Sequence, residues 1–214
     1  MTRDRLAPAV FGIVLYPSVE PIDLGATYGV LSMARRLLPG VRAVTLAAQP
    51  GDVALAGGVR VSVDHTLDAA PFLDVAIVTG GAGWPQASED PVMLVFLRRR
   101  PAAIVASVCT GALILAAAGL LQGRAATTRR RALGAEAQSP LSRLPGGCEA
   151  TVVDHGDVVT GGGVTLSTDT TLHLLARLYG LPAAEDVARA IEYDRAWAAN
   201  RAALGAIEPH ARAA

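Results

Sequence analysis

The chain has 214 residues, of which 51% are hydrophobic and 18% are charged, and this is enough apolar material for the core of about one α/β domain. Its 19 basic and 19 acidic side chains balance, so the charge does not favour nucleic acid or an anionic membrane surface as a partner. Two cysteines are too few for a disulfide framework, and no C-x-x-C pair or histidine cluster suggests a metal. No basic segment followed by an apolar one opens the chain, so we expect a cytoplasmic protein.

The first predicted unit is a strand followed by a helix. The strand is Val10–Leu15, which Tyr16-Pro17 closes. Leu24–Leu38 follows with apolar residues at helical intervals, and Asp23 stands just before it. Because aspartate is a favoured N-cap, Asp23 caps this helix, contributes a carboxylate to a site, or does both.

The next strands lead to a glycine-rich turn. We predict strands at Val41–Ala48 and Phe72–Val78, and the alternation over Val59–Val63 is typical of a half-exposed edge strand. Phe72–Val78 ends at Thr79-Gly80-Gly81-Ala82-Gly83, which lacks the G-x-G-x-x-G spacing of dinucleotide sites. Glycines let a backbone approach a ligand closely, so an N–H at Gly80 or Gly81 is a candidate for holding developing negative charge.

The central stretch runs from Ala103 to Leu121, after a predicted amphipathic helix at Pro91–Arg100. Ala103–Val108 predicts a buried strand and Thr110–Leu121 a buried helix, and Cys109 falls at their junction. The sequence Ser107-Val108-Cys109-Thr110-Gly111 has small residues two positions before and two after the cysteine, as in a nucleophile elbow.

The junction predicts a reactive cysteine. Free N–H groups at the start of the following helix, and its positive end, would favour thiolate over thiol and lower the pKa of Cys109. The alternative is a small core residue, which free cysteines usually are. The uncharged length of this stretch would also permit a membrane span, but the Ser, Cys, Thr and Gly at its centre favour a buried strand and helix.

The last part of the chain predicts a loop, a hairpin and two helices. Cys148 follows the loop and has no partner or base nearby in sequence, so we interpret it as incidental. The tail 199–214 is rich in Ala and Arg and is expected to fray. The predicted elements are a loop at Ala135–Gly147, hairpin strands at Ala150–Val153 and Val158–Val159, and helices around Leu166–Tyr179 and Ala183–Trp197.

Strands that alternate with helices predict one α/β domain over 1–214, with its core at about 9–198. We expect a flavodoxin-like three-layer sandwich, a mainly parallel sheet with helices on both faces. Ligands of such sheets bind outside the carboxyl ends of the strands. Asp23, Gly80-Gly81 and Cys109 each follow a different predicted strand, so we expect them to converge.

The chain resembles the ThiJ/PfpI superfamily, which is related to the class I glutamine amidotransferase fold, and within it the isonitrile (isocyanide) hydratases. The resemblance is densest at Ser107–Thr128, with IVTGGAG at Ile77–Gly83 and VVTGGGVTLSTD at Val158–Asp169. It implies hydration of an isocyanide by a homodimer that uses neither a metal nor an organic cofactor. In this resemblance Cys109 is the nucleophile, Asp23 is the carboxylate beside it, and the backbone N–H groups of Gly81 and Thr110 line an oxyanion-type pocket.

The chain departs from the hydratase pattern at several positions, including ones that are expected to line the pocket. After Asp23 the usual L-T-G-P is Leu24-Gly25-Ala26-Thr27 here, and Asp194 is followed by Arg195-Ala196-Trp197 in place of a Pro-rich loop. Where those relatives tend to have A-T-T-H-W this chain has Ala126-Thr127-Thr128-Arg129-Arg130, and where they have P-G-G it has Thr79-Gly80-Gly81. A glyoxalase-like activity and a non-enzymatic cysteine-based redox or small-molecule sensor are the alternatives within this superfamily. Amide hydrolysis would need an H-x-E pair, and the nearest match, His155-Gly156-Asp157, has the composition of a turn.

Overall fold

The structure is a computed structural model and describes residues 2–207. Apolar, β-branched runs form the central strands, and one of them, Leu73–Val78, is buried along its whole length. The strands are β1 (Ala9–Val14), β2 (Val41–Ala47), β3 (Asp52–Ala54), β4 (Arg60–Ser62), β5 (His65–Thr66), β6 (Leu73–Val78), β7 (Ala102–Ser107), β8 (Val152–Asp154), β9 (Val158–Gly161) and β10 (Ala206–Ile207).

Helices separate β1 from β2, β6 from β7, β7 from β8, and β9 from β10. A single 3₁₀ turn at Ala56–Gly58 separates β3 from β4. The helices are α1 (Pro21–Ala34), α2 (Trp84–Ala87), α3 (Pro91–Arg98), α4 (Gly111–Ala117), α5 (Pro140–Arg143), α6 (Ser167–Tyr179), α7 (Leu181–Ala190) and α8 (Asp194–Leu204).

The main sheet has eight strands in the order β10-β8-β9-β7-β6-β1-β2-β5. All neighbouring pairs are parallel except β8 and β9, which form the predicted antiparallel hairpin. Helices α1, α6 and α7 pack against one another, and α4 packs with α2 and α3. This architecture confirms the predicted flavodoxin-like α/β fold.

The topology positions the candidate residues. Strands β1, β6 and β7 are neighbours at the centre of the sheet, and their parallel direction brings their carboxyl ends to one edge. Gly80 and Cys109 lie in the turns after β6 and β7, and Asp23 lies in the first turn of α1, which follows β1. The predicted convergence of the three residues is therefore confirmed.

The structure differs from the sequence predictions in four places. The segment predicted as an edge strand, β4, pairs only with β3 in a separate two-stranded sheet. The loop predicted at Ala135–Gly147 contains the short helix α5, which the side chain of Ser139 caps. The helix predicted at Ala183–Trp197 is two helices, α7 and α8, because the chain turns at Glu192, whose φ is 55°.

The fourth difference is the tail, where α8 continues to Leu204 and β10 pairs with β8. Residues 208–214 of the predicted frayed tail lie outside the described residues. The central stretch divides into β7 and α4, and within residues 2–207 no helix has the length and apolarity needed to cross a membrane.

Candidate active site

Cys109 occupies the sharp turn between β7 and α4. Its φ is 51°, in the left-handed region where a residue with a side chain is strained. Its N–H donates to the carbonyl of Gly162 over 3.1 Å, and its own carbonyl accepts a hydrogen bond from the Thr128 hydroxyl. The strand-to-helix turn predicted from the sequence is present, and the two bonds hold its backbone.

Small residues surround the turn because neighbouring backbone leaves no space. A Cβ on Gly111 would lie 2.3 Å from the carbonyl oxygen of Val78 on the adjacent strand, and a Cβ on Gly163 would lie 2.6 Å from the Cys109 sulfur. Ser107, two residues before the cysteine, is fully buried. The small residues near Cys109 in the sequence are therefore explained by the lack of space around the turn that carries the thiol.

Asp23 lies in the first turn of α1 and is completely buried. The N-cap position of α1 is taken by Glu20, so the alternative that Asp23 caps this helix is wrong. Oδ1 of Asp23 accepts a 2.8 Å hydrogen bond from the hydroxyl of Ser167, and Oδ2 has no hydrogen-bond partner within residues 2–207. An unpaired buried carboxylate oxygen is costly and calls for an explanation, and a catalytic role is one such explanation.

Gly80 lies at the point where Asp23, Cys109 and Thr110 come together. A Cβ on this residue would lie 2.5 Å from the Cβ of Cys109, 2.6 Å from Oδ2 of Asp23 and 2.6 Å from the backbone nitrogen of Thr110. The carbonyl of Gly80 also accepts a 2.9 Å hydrogen bond from the N–H of Glu20, at the start of α1. Only glycine lets the carboxylate and the thiol share this space.

Gly81 and Thr110 bond to each other. The N–H of Gly81 donates to the Thr110 hydroxyl over 2.9 Å, and this hydroxyl lies 3.2 Å from the carbonyl oxygen of Gly81. The resemblance assigns the N–H of Gly81 to an oxyanion-type pocket. In this structure that N–H already donates its hydrogen bond to the Thr110 hydroxyl. The N–H of Thr110 interacts with the Cys109 sulfur and lowers the pKa of its thiol.

The prediction of a low thiol pKa is wrong for this arrangement. Burial is the main cause that raises the pKa of Cys109 above its ordinary value, and the negative charge of Asp23 adds to it. The contributions of Thr110 and Arg129 lower this pKa but do not compensate. The N–H of Gly111, one of the groups expected to face the sulfur, instead donates to the carbonyl of Val108.

The pKa of Asp23 is also raised. Burial raises its pKa to about 6, against the opposing effects of the Ser167 hydroxyl, the Cys109 thiol and the backbone of Gly80. The Asp23 carboxylate and the Cys109 thiol each influence the pKa of the other, so they titrate as an interacting pair. At neutral pH the proton of the pair resides on sulfur and the carboxylate is the base beside it.

Cys109 opens onto a cavity of about 650 Å³, although only 3% of its surface is exposed. Gly81 and Thr110 line the cavity too, whereas Asp23 and Gly80 do not. The remaining walls are apolar at Ile22, Ala82, Trp84, Pro85, Leu133, Pro140 and Val164, and polar at Glu20, Arg129, Glu136, Gln138 and Arg143.

Two residues that the sequence analysis did not name belong to the site. Ser167 holds Asp23, and Glu20 lines the cavity. Ser167 stands in the segment Val158–Asp169 that carries the family resemblance, which was the signal available for it. Arg129, a departure that the sequence analysis expected in the pocket, lines the cavity beside the cysteine. Arg130, the next residue, points elsewhere and lies 3.8 Å from Glu149.

The other chemically capable side chains do not join the cavity. Cys148 bonds weakly through sulfur to the carbonyl of Ala126, and His155 bonds to the carbonyl of Ala125. Among the residues that the structure describes, no group of three or more His, Cys, Asp and Glu side chains is arranged to hold a metal ion.

Comparison with known proteins agrees with this geometry. The model of the DJ-1/PfpI family matches residues 11–177. The chain is 36% identical to an isonitrile hydratase of Pseudomonas putida over 184 residues, which is 85% of this chain and 77% of that protein. It is 30% identical to the HTH-type transcriptional regulator CdhR of Pseudomonas aeruginosa, over 79% of this chain and 51% of the regulator.

A solved structure with the same fold is that of a THiJ/PfpI family protein from Pseudomonas syringae. The TM-score is 0.76 at 29% identity, and the match covers 88% of this chain and 76% of that one. The fold that positions the site is therefore that of this group of proteins.

Proposed function

The chain belongs to the DJ-1/PfpI family, and we propose that it is an isonitrile hydratase-like enzyme that adds water to an isocyanide and releases an N-substituted formamide. The observation that carries the proposal is the buried Asp23 carboxylate, which has an unpaired Oδ2 and lies against a cysteine that opens onto a cavity. The 36% identity to an isonitrile hydratase supports this choice of substrate class.

The first half of the reaction joins sulfur to the isocyanide carbon. Because the pKa of Cys109 is raised, the resting nucleophile is a thiol, and Asp23 takes its proton as sulfur attacks. The carbon that accepts the sulfur then receives that proton from Asp23. The product is a thioimidate in which Cys109 is bound to a CH=N carbon.

The second half adds water and releases the product. The Asp23 carboxylate, ionised again, takes a proton from water as the water oxygen attacks the thioimidate carbon, and Asp23 passes this proton to the nitrogen. The resulting tetrahedral intermediate expels the Cys109 sulfur, while Asp23 takes the proton of the new hydroxyl, which becomes the formamide carbonyl, and gives that proton to the sulfur. The sum is one isocyanide and one water consumed and one N-substituted formamide formed.

The cavity supplies space for the substituent on the isocyanide nitrogen. Its volume is within the range of small-molecule sites, and Ile22, Trp84 and Leu133 offer it apolar surface. Among residues 2–207 no histidine lines it, and the acid and base steps are assigned to Asp23.

The test is the disappearance of para-nitrophenyl isocyanide, with the formamide identified by mass spectrometry. Wild type and Cys148→Ala, the matched cysteine control, are expected to turn over the substrate, and Cys109→Ala is expected to be inactive. Asp23→Asn is expected to lose about 100-fold or more, the usual contribution of an acid-base group.

Each contrary outcome has a definite meaning. Turnover by Cys109→Ala would contradict the covalent mechanism. Isocyanide binding by wild type without formamide production would contradict the hydratase proposal and indicate a small-molecule sensor, a role compatible with the similarity to a transcription regulator.

A further inference from the structure

Arg129 brings a cation to the wall of the cavity. It is only 8% exposed, yet it lines the cavity together with Cys109. The preceding residue, Thr128, donates its hydroxyl to the Cys109 carbonyl, and the N–H of Leu141 donates to the Arg129 carbonyl. The guanidinium is therefore carried by a backbone segment that is tied to the nucleophile turn.

The guanidinium has donors to spare. An arginine offers five N–H groups. One bond runs from Nη1 to the carbonyl of Arg131 and one from Nη2 to Oε1 of Glu136, each 2.6 Å long. The other three N–H groups have no hydrogen-bond acceptor within residues 2–207. An acceptor that enters the cavity can form charge-assisted hydrogen bonds with these free donors.

A second arginine lies on the same side of the cavity. Arg129 and Arg143 both lower the pKa of Glu136, so the three side chains are neighbours. Glu136 pairs with Arg129, while Arg143 has no ion pair among the described residues. The remaining charged residue of the wall, Glu20, lies near Asp23, whose pKa it raises.

We infer that Arg129, assisted by Arg143, makes this cavity selective for an isocyanide whose substituent carries a carboxylate. The inference names a substrate class and so rests on the proposed function. A planar guanidinium pairs with a carboxylate through two parallel hydrogen bonds, and the free donors of Arg129 suit that geometry. The position is one at which the chain departs from the hydratase pattern, with Arg in place of His.

The experiment compares two alkylating reagents that differ mainly in charge. Iodoacetate carries a carboxylate and iodoacetamide a neutral amide, and both attack the same sulfur. The rate ratio of iodoacetate to iodoacetamide is measured at Cys109 by peptide mass spectrometry and divided by the ratio at free cysteine in solution. This measurement needs no turnover, so its outcome is independent of whether the protein hydrates isocyanides.

Three variants separate the guanidinium from the overall charge. Arg129→Gln/Glu136→Gln keeps the net charge of the protein, and we expect the ratio to fall about tenfold. Glu136→Gln alone removes the competing carboxylate, and we expect the ratio to rise. Arg131→Gln, at an exposed neighbour outside the cavity, removes a positive charge and is expected to leave the ratio within about twofold.

A ratio unchanged in the double variant, or lowered as much by Arg131→Gln, would overturn the inference. If Cys109 resists both reagents, the thermal shift produced by benzoate and by benzamide decides. We expect benzoate to stabilise wild type more than benzamide does and this difference to vanish in the double variant. Equal shifts in wild type would also overturn the inference.

Discussion

The hydroxyl of Ser167 donates a 2.8 Å hydrogen bond to Oδ1 of Asp23, although 144 positions separate the two residues in sequence. The bond occupies one carboxylate oxygen and leaves Oδ2 facing the crowded space between Gly80 and Cys109. The hydrogen bond at Oδ1 thus orients the Asp23 carboxylate, and Oδ2 is the oxygen that is free to exchange a proton with Cys109.

The first prediction concerns the pH dependence of the wild-type reaction. Burial raises the pKa of Asp23 to about 6, and the carboxylate form is the base that receives the thiol proton. We expect kcat/KM for para-nitrophenyl isocyanide to fall about tenfold per pH unit below about pH 6. A profile that stays level down to pH 4.5 would mean that Asp23 does not act as this base.

The second prediction concerns Ser167→Ala. A hydrogen bond to the charged form lowers a carboxyl pKa, so its removal raises the pKa of Asp23 above about 6. We expect the acid limb of the kcat/KM profile to move to higher pH, with activity recovered at alkaline pH. Thr168→Ala is the matched control, since its hydroxyl makes no hydrogen bond with the described residues. An equal shift in this control would contradict a role for Ser167.

The third prediction concerns stability. The folded protein holds a proton on Asp23 up to about pH 6 and the unfolded chain only to about pH 3.8, so the folded state binds more protons between these values. Its free energy of unfolding therefore falls as pH rises through this window, by about 2–3 kcal/mol from this group. We expect the fall to be absent in Asp23→Asn.

Urea unfolding of wild type and Asp23→Asn at half-unit steps from pH 4 to pH 7 measures this difference. Other titrating groups contribute equally to both proteins, so the gap between the two curves reports Asp23. Curves that stay parallel across the window would show that the carboxyl pKa is not raised by folding.

The fourth prediction concerns the close approach at Gly80. In Gly80→Ala the new Cβ has to displace Cys109, Thr110 or Asp23, so we expect activity to be lost and the unfolding free energy to fall by about 1–3 kcal/mol. The control is Gly25→Ala on helix α1. Apart from the two adjacent residues and the helix's own backbone, no atom lies within 4 Å of the new Cβ, so we expect activity to be retained and stability to rise by up to about 1 kcal/mol. Activity assays and thermal melts of the pair check both outcomes.

Much of the fold was predictable from local patterns. The apolar runs predicted β1, β2, β6 and β7 to within a residue or two, because buried parallel strands need continuous apolar sequence. The break between α7 and α8 was missed, since no glycine or proline marks it and Glu192 makes the turn with a positive φ.

The sequence by itself determined the strand-to-helix turn at Cys109 and the side of the sheet at which the candidate residues meet. The turn depends on residues that are adjacent in the sequence, and the side of the sheet depends on the parallel direction of the strands, which the alternation of strands and helices predicts. Only the tertiary structure decided which groups surround the thiol, and it reversed the predicted direction of the Cys109 pKa. Burial and the charge of Asp23 cause that reversal, and both arise from residues far apart in the chain that packing brings together.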